Sequence, residues 1–225
     1  MSDTQQITDH DIAELCADIY LPQPQGGWEQ LELPPDGIAF GLKDFGTATA
    51  LVFRGSVTLP DWLHDLEAVA DPFDHAGLGP VHPGFFDGLP ELWAELKPIL
   101  TEKPSIIAGH SLGAARASLF VGLMALDKQL PLRRVCFGEP RPGFRQAASI
   151  IAEARGRSYC NGNGRAHDLV TDVPFTTWIE DYVHPTSLVP VSAPPTDAEV
   201  QQDALFAWHA IALYASVTPE VPILP

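Results

Sequence analysis

Apolar residues recur along the chain in two periods, one helical and one extended, and their order predicts most of the architecture. Residues 9–21 place Ile12, Leu15, Cys16, Ile19 and Tyr20 on one helical face, which predicts an opening helix. Pro22 to Gly37 holds four prolines and three glycines and reads as a turn-rich connection. Ile38 to Phe45 and Ala48 to Phe53, on either side of Gly46-Thr47, read as two strands joined by a tight turn. Leu59 to Leu66, with Pro60 at its start, reads as a short amphipathic helix, and Pro72 to Gly84 as loop.

Phe85 to Leu100 predicts a helix, and Ser105-Ile106-Ile107-Ala108 a brief central strand covered on both faces. Ala114 to Asp127 predicts a further helix; Arg134 to Phe137 and Ser158 to Asn161 predict buried strands. Pro190 to Pro195 separates a strand from a last helix, Thr196 to Ser216, before an irregular tail. Short apolar strands alternating with helices are the mark of a largely parallel sheet with helices on both faces. No repeat or low-complexity tract interrupts this order, so residues 1–225 are expected to form one α/β domain.

Composition narrows the partners. With 45% hydrophobic and 19% charged residues the chain lies far from disordered compositions. Its 13 Lys and Arg against 29 Asp and Glu give a formal net charge of −16. Nucleic acid and anionic membrane surfaces are therefore unsuited as partners, because both draw affinity from clustered cations. Cys16, Cys136 and Cys160 are an odd number without CxxC spacing, so buried thiols are expected rather than disulfides or a zinc site. No apolar stretch approaches the roughly 20 residues that span a bilayer. The N-terminus carries no signal-peptide pattern, which suits a cytoplasmic protein or a secreted one whose leader is already removed.

The chemistry centres on Gly109-His110-Ser111-Leu112-Gly113, a G-x-S-x-G motif directly after a predicted strand and before a predicted helix. Such a turn lifts the hydroxyl of Ser111 clear of the backbone, and the helix N-terminus favours the negative charge of a tetrahedral intermediate. A serine at its ordinary pKa needs a general base and an acid to orient that base. In α/β-hydrolases these follow in the order acid, then histidine. Asp168 and Asp172 are the acid candidates, and His184 and His209 the base candidates. His110 reads as a lining residue. Asp71, Asp74, His75 and His82 fit no metal-ligand spacing, so neither a metal nor another cofactor is expected.

These residues resemble the class 3 lipases, the fungal-type triacylglycerol lipase family, from about Ile38 to Tyr214. Val52-Phe53-Arg54-Gly55-Ser56, followed by Trp62 and Asp65, is similar to the family's oxyanion loop and lid entrance. Val81-His82-Pro83-Gly84-Phe85 resembles its H-x-G-F segment, residues 107–115 its nucleophile elbow, and Phe137 to Gly143 its F-G-x-P-R-x-G turn. Asp168-Leu169-Val170 with Val173-Pro174 resembles the acid segment, although Thr171 stands where proline is frequent. Tyr182-Val183-His184 is similar to a non-catalytic Y-x-H strand, and His209 with Tyr214 to the terminal histidine, although Trp208 replaces the usual aspartate before it.

The resemblance implies an α/β-hydrolase fold with Ser111, Asp168 and His209 as the triad. It also implies an oxyanion hole from Ser56 and the Leu112 amide, and a lid or substrate-binding segment containing Trp62, Leu63 and Leu66. The activity it implies is hydrolysis of carboxylic esters, acylglycerols or simple acyl esters, with transient contact at a lipid interface; phospholipid esters (a phospholipase A1), feruloyl esters and a non-catalytic, lipase-like binding module are the alternative readings.

Overall fold

The structure, a computed structural model, describes residues 6–56, 72–164, 166–174, 181–202 and 206–223. The segment expected to form the short helix at 59–66 lies outside them, and with it Trp62, Leu63 and Leu66.

The chain opens with α1 (Asp9–Asp18), held by a capping box in which Thr8 accepts from the Asp11 amide and Asp11 accepts from the Thr8 amide. Three strands follow: β1 (Gln30–Glu32), β2 (Phe40–Asp44) and β3 (Thr49–Phe53). A two-stranded hairpin, β4 (Phe73–His75) and β5 (Gly79–Val81), leads to α2 (Pro83–Phe86) and α3 (Leu89–Glu102). Then come β6 (Ser105–His110), α4 (Leu112–Leu126), β7 (Arg133–Phe137), α5 (Arg145–Ile151), β8 (Gly156–Asn163) and β9 (Ala166–His167). A 3₁₀ turn at Leu169–Asp172 precedes β10 (Leu188–Val191), and α6 (Asp197–Gln202), a 3₁₀ turn at Ala207–His209 and α7 (Ile211–Val217) close the chain.

Among the described residues the main sheet runs β1-β2-β3-β6-β7-β8-β10, with β9 paired to β8. Pairing is antiparallel through β1, β2 and β3 and parallel from β3 to β6, β7, β8 and β10. The central strands alternate their side chains between two cores, as a period of two requires. Leu51, Phe53, Ile107 and Cys136 face α2 to α5, whereas Ala50, Val52, Ile106, Ala108, Val135 and Phe137 face α1 and α7. Both faces of the parallel strands are thus covered, and this is the α/β-hydrolase arrangement.

The differences from the sequence reading are local. β1 forms inside the stretch read as turn-rich, because three residues suffice to pair with Phe40 to Leu42. The hairpin β4–β5 forms inside the expected loop. The helix expected at 85–100 is split by Gly88, whose φ of 77° falls in the left-handed region. α5 was not foreseen. The helix expected over 196–216 is broken by the 3₁₀ turn that carries His209, a break with consequences for the site.

Candidate active site

β6 ends at His110 and α4 begins at Leu112, so Ser111 alone turns the chain, with φ 60° and ψ −133°. A non-glycine residue there is strained and persists only where its surroundings fix it. Two backbone hydrogen bonds and two glycines do so. The Ser111 amide donates to Phe137 O at 3.0 Å, and the Ala114 amide donates to Ser111 O at 2.9 Å. A side chain at Gly109 would collide with the backbone of Gly113, and one at Gly113 with the backbone of Phe53. The two glycines of the motif are what allow strand, helix and neighbouring strand to close on the serine.

Asp168 and His209 come together behind this elbow. The Asp168 amide donates to Asn161 O at 2.8 Å, and its Oδ1 accepts from the Val170 amide at 3.0 Å. Its Oδ2 accepts from His209 Nδ1 at 2.6 Å and from the Tyr214 hydroxyl at 2.5 Å. Asp168, His209 and Tyr214 are all fully buried. Burial raises the Asp168 carboxyl, but the charge of His209 and the bonds from His209 and Tyr214 outweigh it and hold the group below its ordinary value. A carboxylate can only accept, so Nδ1 of His209 carries the proton and Nε2 keeps a free lone pair. His209 Nε2 and Ser111 Oγ are both buried without a hydrogen-bond partner. No hydrogen bond joins them here, and such catalytic bonds commonly tighten only when substrate arrives.

Gly138 is fitted against the pair: its φ is 53°, and a side chain there would lie 2.6 Å from Asp168 Oδ2 and 2.7 Å from His209 Cε1. Asn161, buried in β8, donates through Nδ2 to the carbonyls of Ala193 and Trp208 at 2.9 and 3.0 Å. It therefore anchors the residue next to His209.

His110 locks the elbow to His209. Its ring lies 4.4 Å from that of His209, centroid to centroid, and its Nε2 donates to His209 O at 2.8 Å. Burial first, and the neighbouring charge of His209 second, push His110 down to about 3, so it stays neutral. Its Nδ1 then accepts from the Tyr20 hydroxyl at 3.1 Å, and the same hydroxyl oxygen accepts from the Gly55 amide at 2.8 Å. Burial keeps the Tyr20 phenol protonated. A continuous chain of bonds thus runs from the loop before Ser56, through Tyr20 just past α1, to the backbone of His209. Gly55 is glycine because a side chain would meet the Tyr20 hydroxyl at 2.6 Å and His110 O at 2.7 Å.

The expected oxyanion residues sit together. Ser56 and Leu112 line one cavity of about 190 Å³, shared with Arg54, Gly55 and Arg116. Leu112 is the first residue of α4, so its N–H has no intrahelical acceptor. The other candidates fall elsewhere. His184 Nε2 donates to Thr171 O at 2.8 Å, and Asp172 pairs with His167 Nε2 at 2.8 Å. His75 Nδ1 accepts the amides of Gly77 and Leu78 and so caps the hairpin turn. Sequence reasoning missed the bonding roles of Tyr20 and Asn161 and the close fit of Gly138 against the pair. Tyr20 was legible only as an apolar helix position, and nothing local marks a buried asparagine in a strand as an anchor.

A central sheet parallel from β3 onward, a strained serine between strand and helix, and a buried aspartate–histidine pair define the chain as an α/β-hydrolase. The class 3 lipase profile matches residues 50–178. The chain belongs to the class 3 lipases. It is similar to the mono- and diacylglycerol lipase of Aspergillus oryzae, with 18% identity and a TM-score of 0.63 over 93% of this chain and 96% of that one. The lipase of Rhizopus microsporus var. chinensis gives 17% identity and a TM-score of 0.63 over 90% and 83% of the two chains. The triacylglyceride lipase of Rhizomucor miehei gives 22% and 0.54, over 69% of this chain and 60% of that one. Comparison with curated protein sequences finds no match.

Proposed function

We propose that this protein is a serine carboxylic-ester hydrolase that acts on acylglycerols or simple acyl esters through an acyl-enzyme. The observation that carries the reading is the buried Asp168–His209 pair, which leaves His209 Nε2 free beside a strained elbow whose Ser111 Oγ is equally free. In the first half-reaction Ser111 Oγ bonds to the ester carbonyl carbon while its proton passes to His209 Nε2. Asp168, itself fixed by the Tyr214 hydroxyl, holds the ring and stabilises the imidazolium. The carbonyl oxygen, now negative, is held by the Leu112 amide and Ser56; each such donor typically contributes about 10²- to 10³-fold in rate. The carbon–oxygen bond to the alcohol then breaks and His209 returns its proton to the departing oxygen. Water repeats the sequence on the acyl-enzyme, releasing the acid and restoring Ser111.

The test is hydrolysis of p-nitrophenyl esters of increasing acyl length by the wild type, Ser111→Ala, His209→Ala and His184→Ala. Activity is expected in the wild type and His184→Ala only. Turnover retained by Ser111→Ala overturns the mechanism, and turnover in no protein points instead to a non-catalytic, lipase-like binding module.

A further inference from the structure

The cavity beside Ser56 and Leu112 is walled by two arginines that nothing in the reaction above employs. Arg54 lies two residues before Ser56, and Arg116 one helical turn beyond Leu112 on the same face of α4. The Nε–H of each guanidinium is buried without a hydrogen-bond partner. Arg116 makes one bond, from Nη1 to Gly37 O at 3.2 Å. Neither forms an ion pair among the described residues, whereas Arg133, Arg134, Arg141, Arg145 and Arg157 each pair with a carboxylate. Asp87 acts on Arg116 through space, but burial dominates and pushes the guanidinium below its ordinary value. Two guanidinium groups on one cavity wall, neither paired with a carboxylate among the described residues, make that wall positive in a chain of net charge −16.

We propose that Arg54 and Arg116 form an anion subsite beside the oxyanion hole, so that the preferred substrate is an ester carrying a second, negatively charged group, a carboxylate or a phosphate. The inference rests on the ester-hydrolase reading and names its substrate class. Guanidinium donors match these planar or tetrahedral anions in geometry. The cavity of about 190 Å³ exceeds more than tenfold the roughly 10–15 Å³ that one water needs, so such a group fits with part of its hydration. The subsite also offsets the repulsion that the acidic surface exerts on an anionic substrate.

The experiment compares matched neutral and anionic esters with the full chain: p-nitrophenyl butyrate against mono-p-nitrophenyl glutarate, and a monoacylglycerol against the corresponding acylglycerol phosphate. The readout is the ratio of kcat/KM for the charged over the neutral ester in the wild type, Arg116→Gln and Arg116→Lys. The wild type is expected to favour at least one charged ester, and Arg116→Gln to lower that ratio about ten- to hundred-fold, the range expected of a charge-assisted hydrogen bond. Arg116→Lys should restore part of it, and added salt should erode it. The arm that responds tells carboxylate from phosphate. A ratio that Arg116→Gln leaves unchanged, or a wild type that prefers both neutral esters, overturns the subsite. Should no ester be turned over, the hydrolase reading fails by itself, and the subsite is then decided by thermal unfolding with glutarate or inorganic phosphate. Stabilisation of the wild type but not of Arg116→Gln supports it; equal midpoints overturn it.

Discussion

Tyr214 shows how a single hydroxyl serves two masters. It donates to Asp168 Oδ2 and accepts from the Asn161 amide at 2.9 Å, so it fixes Asp168 while completing the backbone of β8. Tyr214→Phe removes a donor to a charged group and leaves a buried N–H unpaired, each worth about 1–3 kcal/mol. We expect kcat to fall about tenfold with KM little changed, and stability to fall by about 2 kcal/mol, measured by ester kinetics and denaturant unfolding of the same preparation. An unaltered kcat in a destabilised variant would make the tyrosine structural only. The serine was legible in the sequence because glycines and small residues crowd a turn for steric reasons visible in the motif itself. Asp168 and His209 became legible only through the family resemblance, since from spacing alone Asp172 and His184 served equally well.

At the scale of elements, the turn behind His209 is tied down by an ion pair fully buried beneath α4. Arg134 of β7 donates to Glu139 Oε2 at 3.0 Å and to the hydroxyls of Ser118 and Ser158 at 2.8 and 3.1 Å, and Ser118 and Ser158 both donate to Glu139. Glu139 follows Gly138, so one network joins β7, α4 and β8 to the residue that packs against His209. Arg134→Met strands the carboxylate and is expected to cost about 3–5 kcal/mol in denaturant unfolding. Arg134→Met with Glu139→Leu should recover most of that loss; a double variant no better than the single would show that packing, not charge, dominates. The strands that build this layer were read from short apolar runs bounded by glycine and proline. The last helix departs from its sequence pattern for a physical reason. Residues 196–216 contain good helix formers, yet the carbonyls of Trp208 and His209 accept from Asn161 and His110 instead of from helical amides. Tertiary bonds around His209 override local propensity there, and no single-sequence pattern reports them.

Across the whole molecule, buried neutral histidines set the response to acid. The unfolded chain binds a proton at His110 below about pH 6.5, its ordinary value, which the folded chain refuses until about 3. Stability therefore rises with pH across that window and is lost on acidification, by up to about 3 kcal/mol between pH 7 and pH 4. His184, also lowered by burial, adds a contribution of the same sign. Asp168 acts at lower pH: with its folded value below the ordinary 3.8, its contribution is present above that value and lost as pH falls beneath it. Urea midpoints at pH 7 and pH 4 should differ strongly in the wild type and less in His110→Gln, whose amide preserves a donor to His209 O. Parallel slopes in the two proteins would contradict a buried neutral His110. The overall layering was legible because strand and helix periods alternate cleanly; the three-residue strands and the hairpin were not, because their pairing depends on distant partners rather than on their own pattern.

The measurement that bears most directly on the mechanism is intact-mass analysis after treatment with a fluorophosphonate, which transfers its phosphonyl group to an activated serine and releases fluoride. The account predicts one adduct per chain, located on the peptide containing Ser111, formed slowly in Asp168→Asn and absent in Ser111→Ala. Labelling of another residue, or equal labelling of Ser111→Ala, would contradict it.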